Sequence, residues 1–146
     1  MATPTAYKDA QGQSDISRNV RQWTDLDLFF GKKSTSKDIS KVTDIQAVKR
    51  SVRNLVLLNH FEKPFHPEIG SGVRDMLFEP MTPITAVILA KHVEDVVENF
   101  EPRARLIGVQ ARPDLDRNVY DMTIEFYVVN VPTELVTLDV MLERIR

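Results

Sequence analysis

The stretch Asn99-Phe100-Glu101-Pro102-Arg103 separates a helical part of the chain from a sheet-forming part. Before it, apolar residues recur every three to four positions, and after it they recur every second position. Pro102 predicts that the helix ends at or just before Glu101, because proline disfavours helical backbone at the preceding residue. Glu101 then places a negative charge at the negative end of the helix dipole, with Arg103 as the obvious local counter-charge. Such a broken local rule often marks a site that something else occupies.

The helix before this stretch has clear start signals, because Thr82 suits the N-cap and Pro83 the first helical position. Its predicted buried stripe contains Ala86, Leu89, Ala90, Val93, Val96, Val97 and Phe100. A second amphipathic helix is predicted from the capping box Thr43-Asp44-Ile45-Gln46 to about Leu58. A short helix is predicted from Gly72 to Phe78, with Ser71 as its cap.

Three segments after the stretch alternate with the period of a strand. Their apolar positions are Ile107, Val109 and Ala111; Tyr120, Met122, Ile124, Phe126 and Val128; and Val136, Leu138, Val140 and Leu142. In the last segment these alternate with Thr137, Asp139, Met141 and Glu143. A terminal strand of this kind can lie at a sheet edge and accept a strand from another chain. The alternative is a strand that only completes its own sheet.

The N-terminal part has a different character. Residues 1–20 are polar and predict a flexible or partner-ordered arm. From Trp23 to Phe30, apolar residues alternate with Asp25 and Asp27, which predicts an extended segment laid across a surface. The basic run from Gly31 to Lys37 is interpreted as a solvated loop.

These patterns predict an α+β fold, with two to three helices packed on a small, mostly antiparallel sheet. An extended N-terminal arm and a C-terminal edge strand complete it. We expect the arm and loop at residues 1–42 and a single α+β domain at residues 43–146.

Composition excludes several classes of partner. The chain has 146 residues, a net charge of −2 and no cysteine. No overall positive field would attract nucleic acid or an anionic membrane, and no disulfide or thiolate chemistry is possible. No apolar run approaches the roughly 18 residues of a membrane span, and residues 1–17 lack the apolar core of a signal peptide. An intracellular protein that binds neither nucleic acid nor membrane is predicted.

Motifs of catalysis and cofactor binding are absent from the sequence. It has no phosphate-binding glycine loop, zinc-ligand spacing or nucleophile elbow, and its three histidines are scattered. A glycosidase with paired carboxylates could draw on Glu68, Asp75, Glu79 or Glu101. Four acids near turns are unremarkable among 21 acidic residues, which favours solvated or ion-paired carboxylates. We therefore expect no enzyme and no catalytic, cofactor-binding or metal-binding residue.

Three motifs in this order and spacing carry a family resemblance: residues 64–70 (PFHPEIG), 77–86 (LFEPMTPITA) and 99–103 (NFEPR). From Trp23 onward the chain resembles the contractile-tail baseplate wedge family. That family includes the sheath-initiator wedge subunit of T-even phages and the TssE subunit of type VI secretion systems.

The resemblance implies a structural subunit of a six-fold baseplate, in the virion tail and, during assembly, in the host cytoplasm. It implies that Glu101, Pro102 and Arg103 contact a helical core bundle of neighbouring wedge subunits. It also implies strand pairing with the first sheath ring through Val136, Thr137, Leu138, Asp139, Val140, Met141 and Leu142. The alternatives are a peptidoglycan-degrading glycosidase, after the family's old lysozyme-like label, and a type VI secretion baseplate component.

Overall fold

The computed structural model of this chain describes residues 23–32, 37–129 and 131–144. The predicted arm of residues 1–20 and most of the basic loop lie outside these ranges. The elements in chain order are β1 (Thr24–Leu26), β2 (Lys41–Thr43), α1 (Asp44–Leu57), α2 (Val73–Met76), α3 (Pro83–Phe100), β3 (Ala104–Asp114), β4 (Val119–Val128) and β5 (Val131–Glu143). This arrangement confirms the predicted α+β class.

Strands β3, β4 and β5 form one antiparallel sheet in that order, and β1 pairs with β2 in a separate two-stranded sheet. Successive antiparallel pairing follows from the short connections between the three long strands. In the turn between β3 and β4, Asp114 accepts hydrogen bonds at 3.1 Å from the backbone N–H groups of both Asp116 and Arg117. β5 pairs with β4 over nearly its full length.

The core lies between the sheet and the helices α1 and α3. The predicted inward positions of β4 and β5 are confirmed as buried: Tyr120, Met122, Ile124, Phe126, Val128, Val136, Leu138, Val140 and Leu142. The buried positions of α3 are also those predicted, except that Phe100 is only half-buried and Thr85, which was not predicted, is buried. Thr82 caps α3 as predicted, because its hydroxyl accepts a hydrogen bond from the Thr85 N–H at 3.1 Å.

The predicted face of β3 is partly wrong. The strand contains a bulge between Leu106 and Gly108, so that Ile107 has no partner of its own on β4. Ile107 consequently points outward and is exposed, while Leu106 packs against the core. Val109 and Ala111 do contact the core as partly buried residues.

The capping box at the start of α1 is also wrong. Thr43 occupies the N-cap position, but its side chain makes no capping hydrogen bond. It belongs to β2 and pairs with Thr24, and the Asp44 N–H donates to the carbonyl of Trp23 at 2.7 Å. The preceding strand pair therefore replaces the side-chain cap in fixing the start of the helix.

A closed loop joins α1 to α2. The hydroxyl of Ser71 donates to the carbonyl of Val56 at 2.6 Å, and the Ser71 N–H donates to the carbonyl of Leu58 at 2.9 Å. Ser71 also accepts from the Val73 N–H, although the N-cap position itself is held by Gly72 and the helix is shorter than predicted. Within the loop, Phe61 and Phe65 have left-handed backbone angles and strongly exposed rings. None of the helices among the described residues is long and apolar enough to cross a membrane.

Gly70 is required by this closure. A Cβ atom there would stand 2.4 Å from the backbone nitrogen of His60 and 2.5 Å from the carbonyl carbon of Asn59. We expect Gly70→Ala to lower the free energy of unfolding by about 1–3 kcal/mol, because backbone atoms would have to move. The matched control is Gly108→Ala, since a Cβ at Gly108 meets nothing within 4 Å. Equal urea midpoints for the two variants would contradict this view of the loop.

Candidate functional site

The chain turns at the end of α3, so that the side chain of Arg103 lies against that of Glu101. Glu101 follows the helix as its C-cap and donates its N–H to the carbonyl of Val97 at 3.0 Å. Its own carbonyl accepts from the Ala104 N–H at 3.1 Å, which closes a tight turn around Pro102. Across this turn, Nε of Arg103 donates to Oε1 of Glu101 at 2.7 Å and Nη2 donates to Oε2 at 3.0 Å. The result is a bidentate ion pair, the strongest arrangement of these two groups.

Two further elements join this ion pair. Nη1 of Arg103 donates to the two carboxylate oxygens of Asp25 at 3.0 and 3.2 Å, and the guanidinium carbon lies 5.7 Å from the centre of the Trp23 ring. Ser51 on α1 adds to the interactions that lower the pKa of Glu101. The site therefore connects the end of α3 to β1 and to the middle of α1.

Burial and charge shift the pKa of Glu101 in opposite directions. The residue is only 3% exposed. Burial alone would raise the pKa of this carboxyl, but the hydrogen bonds from Arg103 and Ser51 and the charge of Arg103 hold it below its ordinary value. The same ion pair, against a smaller opposing effect of burial, raises the pKa of Arg103. Both groups are consequently charged at neutral pH, so Glu101 is unsuited to donate a proton as a general acid.

The other candidate acids lie elsewhere and are exposed. Glu68 is in the loop before α2, where Oε1 lies 3.0 Å from Nδ1 of His66. A hydrogen bond from its own backbone N–H, followed by that from His66, lowers the pKa of Glu68. Asp75 lies on α2 and Glu79 just after it, both exposed. Within the described ranges, no group of three or more potential ligands is arranged to hold a metal ion.

The sequence did not reveal the role of the acidic side of the segment from Trp23 to Phe30. Asp25 and Asp27 are half-buried and face the domain, where Asp25 binds Arg103 and Asp27 forms an ion pair with Arg50. A hydrogen bond from the Phe29 N–H is the main cause that lowers the pKa of Asp27, and Arg50 adds to it. The apolar side of the same segment is exposed. The alternation was visible in the sequence, but it did not show which side faces the protein.

The C-terminal strand lies at the edge of the main sheet. Among the described residues, β4 is the only strand paired with β5. Its apolar residues from Val136 to Leu142 point into the core, while Thr137, Asp139 and Met141 are exposed on the other face. Asp139 accepts a hydrogen bond from the Thr123 hydroxyl at 2.9 Å. Within the described part of the chain, the outer backbone edge of β5 is thus unpaired.

Comparison with known proteins supplies the family of this chain. Residues 42–133 match the family model described as baseplate wedge protein gp25. The chain belongs to this family. The match contains the Glu101-Pro102-Arg103 turn and ends before the inward-facing residues of β5. Membership of the baseplate wedge family, predicted from three short motifs, is therefore confirmed.

One relative and three solved structures show the extent of the similarity. Baseplate wedge protein gp25 of Enterobacteria phage T4 is 31% identical over 113 residues, which cover 77% of this chain and 85% of the relative. A chain in the baseplate of the anti-feeding prophage has a TM-score of 0.60 at 18% identity and covers 86% of this chain and 88% of its own.

The other two structures are similar over a smaller part of this chain. A Geobacter sulfurreducens protein with a proposed role as tail lysozyme has a TM-score of 0.57 at 22% identity, over 66% of this chain and 88% of its own. A chain of the postcontracted pyocin R2 baseplate has a TM-score of 0.54 at 20% identity, over 67% of this chain and 96% of its own. At these identities, the three structures support the shared fold alone.

The ion pair of Glu101 makes the free energy of unfolding depend on pH in the acidic range. A carboxyl whose pKa is lowered by folding contributes stability that is present above its unfolded pKa, near 4.5, and lost as the pH falls through the folded value. We expect Glu101→Gln to reduce the free energy of unfolding at pH 7 by about 1–3 kcal/mol, because Arg103 keeps Asp25 but loses its buried partner. The difference from wild type should shrink in acid, as measured by urea unfolding. The control is Glu98→Gln on the exposed side of α3, and a difference that does not change with pH would contradict the ion-pair account.

Proposed function

We propose that this chain is a structural subunit of a contractile phage-tail baseplate wedge that docks on neighbouring wedge subunits and initiates sheath assembly. The Glu101-Pro102-Arg103 turn would bind their helical core bundle, and β5 would pair with strands of the first sheath ring. Family membership supports the wedge assignment. The relative in the anti-feeding prophage is part of a baseplate with six-fold symmetry. We accordingly place this protein in a six-fold assembly in the virion tail. During assembly it would be in the host cytoplasm, and it would need no cofactor.

The single observation that carries the docking role is the fixed guanidinium of Arg103. Glu101 binds it from the buried side, and Asp25, whose side chain is 40% exposed, binds it from the open side. A partner carboxylate can therefore replace Asp25 while Glu101 keeps the guanidinium in position. Glu101 acts in this proposal as the positioning residue. The exposed Pro102 fixes the turn between Glu101 and Arg103. A group held in its bound geometry before docking loses little conformational entropy on binding.

The strand role of β5 rests on its edge position and its fixed register. The core holds Val136, Leu138, Val140 and Leu142 in place, so the strand cannot slip by one residue without turning its apolar side to solvent. Its outer N–H and C=O groups therefore occupy set positions along an extended edge. Such an edge binds a strand of another chain through backbone hydrogen bonds.

An enzyme is the less suitable interpretation. Glycoside hydrolysis requires a carboxylic acid that keeps its proton near neutral pH, and the surroundings of Glu101 favour its ionised form. The other candidate acids are exposed residues of a different loop and helix. We therefore propose a non-enzymatic protein. A type VI secretion baseplate would use the same two surfaces, and the identity of the neighbouring genes would distinguish it from a phage tail.

The docking role can be separated from folding with a double substitution. Arg103→Ala alone would leave the buried Glu101 without its counter-charge and would destabilise the fold. Glu101→Gln with Arg103→Met removes both charges and should fold with nearly the stability of wild type. We expect this double variant to bind co-expressed wedge subunits roughly 30-fold more weakly or worse, since loss of a desolvated charge pair costs about 2 kcal/mol or more. Co-purification equal to that of wild type, with a normal urea midpoint, would refute the docking role.

Hydrogen exchange tests the strand role without any substitution. In the isolated chain, the outward amides of β5 should exchange quickly because they have no strand partner among the described residues. On incorporation into baseplates with sheath protein, they should exchange at least about tenfold more slowly. The outward amides of β3, at the opposite edge, serve as the control. Unchanged exchange in β5 within sheathed baseplates would exclude strand pairing.

A further inference from the structure

An open groove lies between the segment from Trp23 to Phe30, α1 and the edge strand β5. Its volume is about 820 Å³, and its apolar lining includes Leu26, Leu28 and Phe29 of that segment, Leu57 of α1 and Leu138 of β5. The ion pair of Asp27 with Arg50 and the pairing of β1 with β2 fix the segment from Trp23 to Phe30 on one side of it. The groove is therefore a built surface of the fold that contains none of Glu101, Pro102 or Arg103.

The apolar side chains around the groove are unusually exposed. Leu26 is 59%, Leu28 61%, Phe29 83% and Leu57 51% accessible to solvent. In an amphipathic extended segment the apolar side normally faces the protein, but here two carboxylates face it and hold the apolar side outward. A contiguous exposed apolar surface of this kind typically marks an interaction site.

Two cations on the rim of the groove have no counter-charge among the described residues. Lys49 and Arg53 of α1 line it, and within the part of the chain that the structure describes neither makes an ion pair or side-chain hydrogen bond. The neighbouring Arg50 is occupied by Asp27 and by the ring of Phe29, 5.3 Å away. Lys49 and Arg53 are four positions apart on one helix, so their backbones are separated by about 6 Å along its axis.

We propose that this groove binds an amphipathic helix of another baseplate protein, one with apolar side chains on one face and two carboxylates about one turn apart. The apolar face would cover the leucines and Phe29, and the carboxylates would pair with Lys49 and Arg53. The proposal rests on the proposed function only in that the partner is sought among the wedge subunits.

Other occupants fit the groove less well. β1 has only three residues, too short an edge to hold an added strand, and the outer edge of β5 is the one proposed above for a sheath strand. A helix satisfies its own backbone hydrogen bonds and needs no such edge. A volume of 820 Å³ would suit a small ligand, but the apolar side chains around it are exposed and do not enclose one. A membrane surface is flat and would contact a protruding patch better than a concave one.

Photocrosslinking identifies the occupant directly. p-Benzoylphenylalanine is placed at Phe29 in the full chain, and the wedge complex is assembled from co-expressed subunits. We expect crosslinks to one helical segment that carries two carboxylates one turn apart. The control is the same substitution at Phe65, which is 97% exposed in the loop before α2 and should not crosslink to that segment. Crosslinks from position 29 to a basic or extended segment, or none above the control, would overturn the proposal.

Charge reversal supplies a second, independent test. Lys49→Glu with Arg53→Glu should weaken wedge-complex formation at least about tenfold, and the complex should lose much of its sensitivity to salt. The matched control is Arg105→Glu with Arg112→Glu, which reverses two exposed cations on β3. Equal effects of the two double variants would overturn the proposal, as would binding of wild type to phosphatidylcholine–phosphatidylserine vesicles that Lys49→Glu with Arg53→Glu abolishes.

The two proposals fail in different ways. If the Glu101→Gln, Arg103→Met variant joins wedge complexes normally, the docking role of the turn is wrong while the groove is still tested by its own variants. If only the groove variant joins them normally, the groove inference is wrong and the docking role stands.

Discussion

The ion pair between Glu101 and Arg103 is the interaction that fixes how the end of α3 and β1 meet. A buried carboxylate at the negative end of a helix is unfavourable without a counter-charge. Arg103 supplies that charge through two hydrogen bonds and uses its third nitrogen for Asp25. One guanidinium thus ties the end of α3 to the segment from Trp23 to Phe30, and Ser51 of α1 helps to lower the pKa of the same carboxyl. The position of β1 follows from this connection and from its pairing with β2.

This arrangement explains why Glu101, one of four candidate acids in the sequence, is unsuited to acid catalysis. An isolated acid in a small domain could have had a raised pKa and served as a proton donor. The surroundings of Glu101 act in the opposite direction, because the hydrogen bonds it accepts outweigh the cost of its burial. The two hydrogen bonds from Arg103 to Glu101 hold the guanidinium in a fixed orientation.

Long, regular elements were predictable from the sequence because many residues repeat the same signal. The buried faces of α3, β4 and β5 are of this kind. Single-residue events were not predictable: the bulge at Ile107 leaves the period of the strand unchanged on either side, and the capping box at Thr43 is replaced by a contact with Trp23. The bond between Asp25 and Arg103 joins residues 78 positions apart, and no local pattern could indicate it.

The loop that joins α1 to α2 has a mechanical consequence. Gly70 lies against the backbone of Asn59 and His60, and Ser71 is bonded to the last turn of α1. The backbone at the base of the loop packs directly against the backbone after α1, so the loop cannot bend there independently of the helices. A displacement of Gly70 or Ser71 would therefore also move the last turn of α1, because the backbones are in direct contact. The base of the loop and the end of α1 consequently form one mechanical unit.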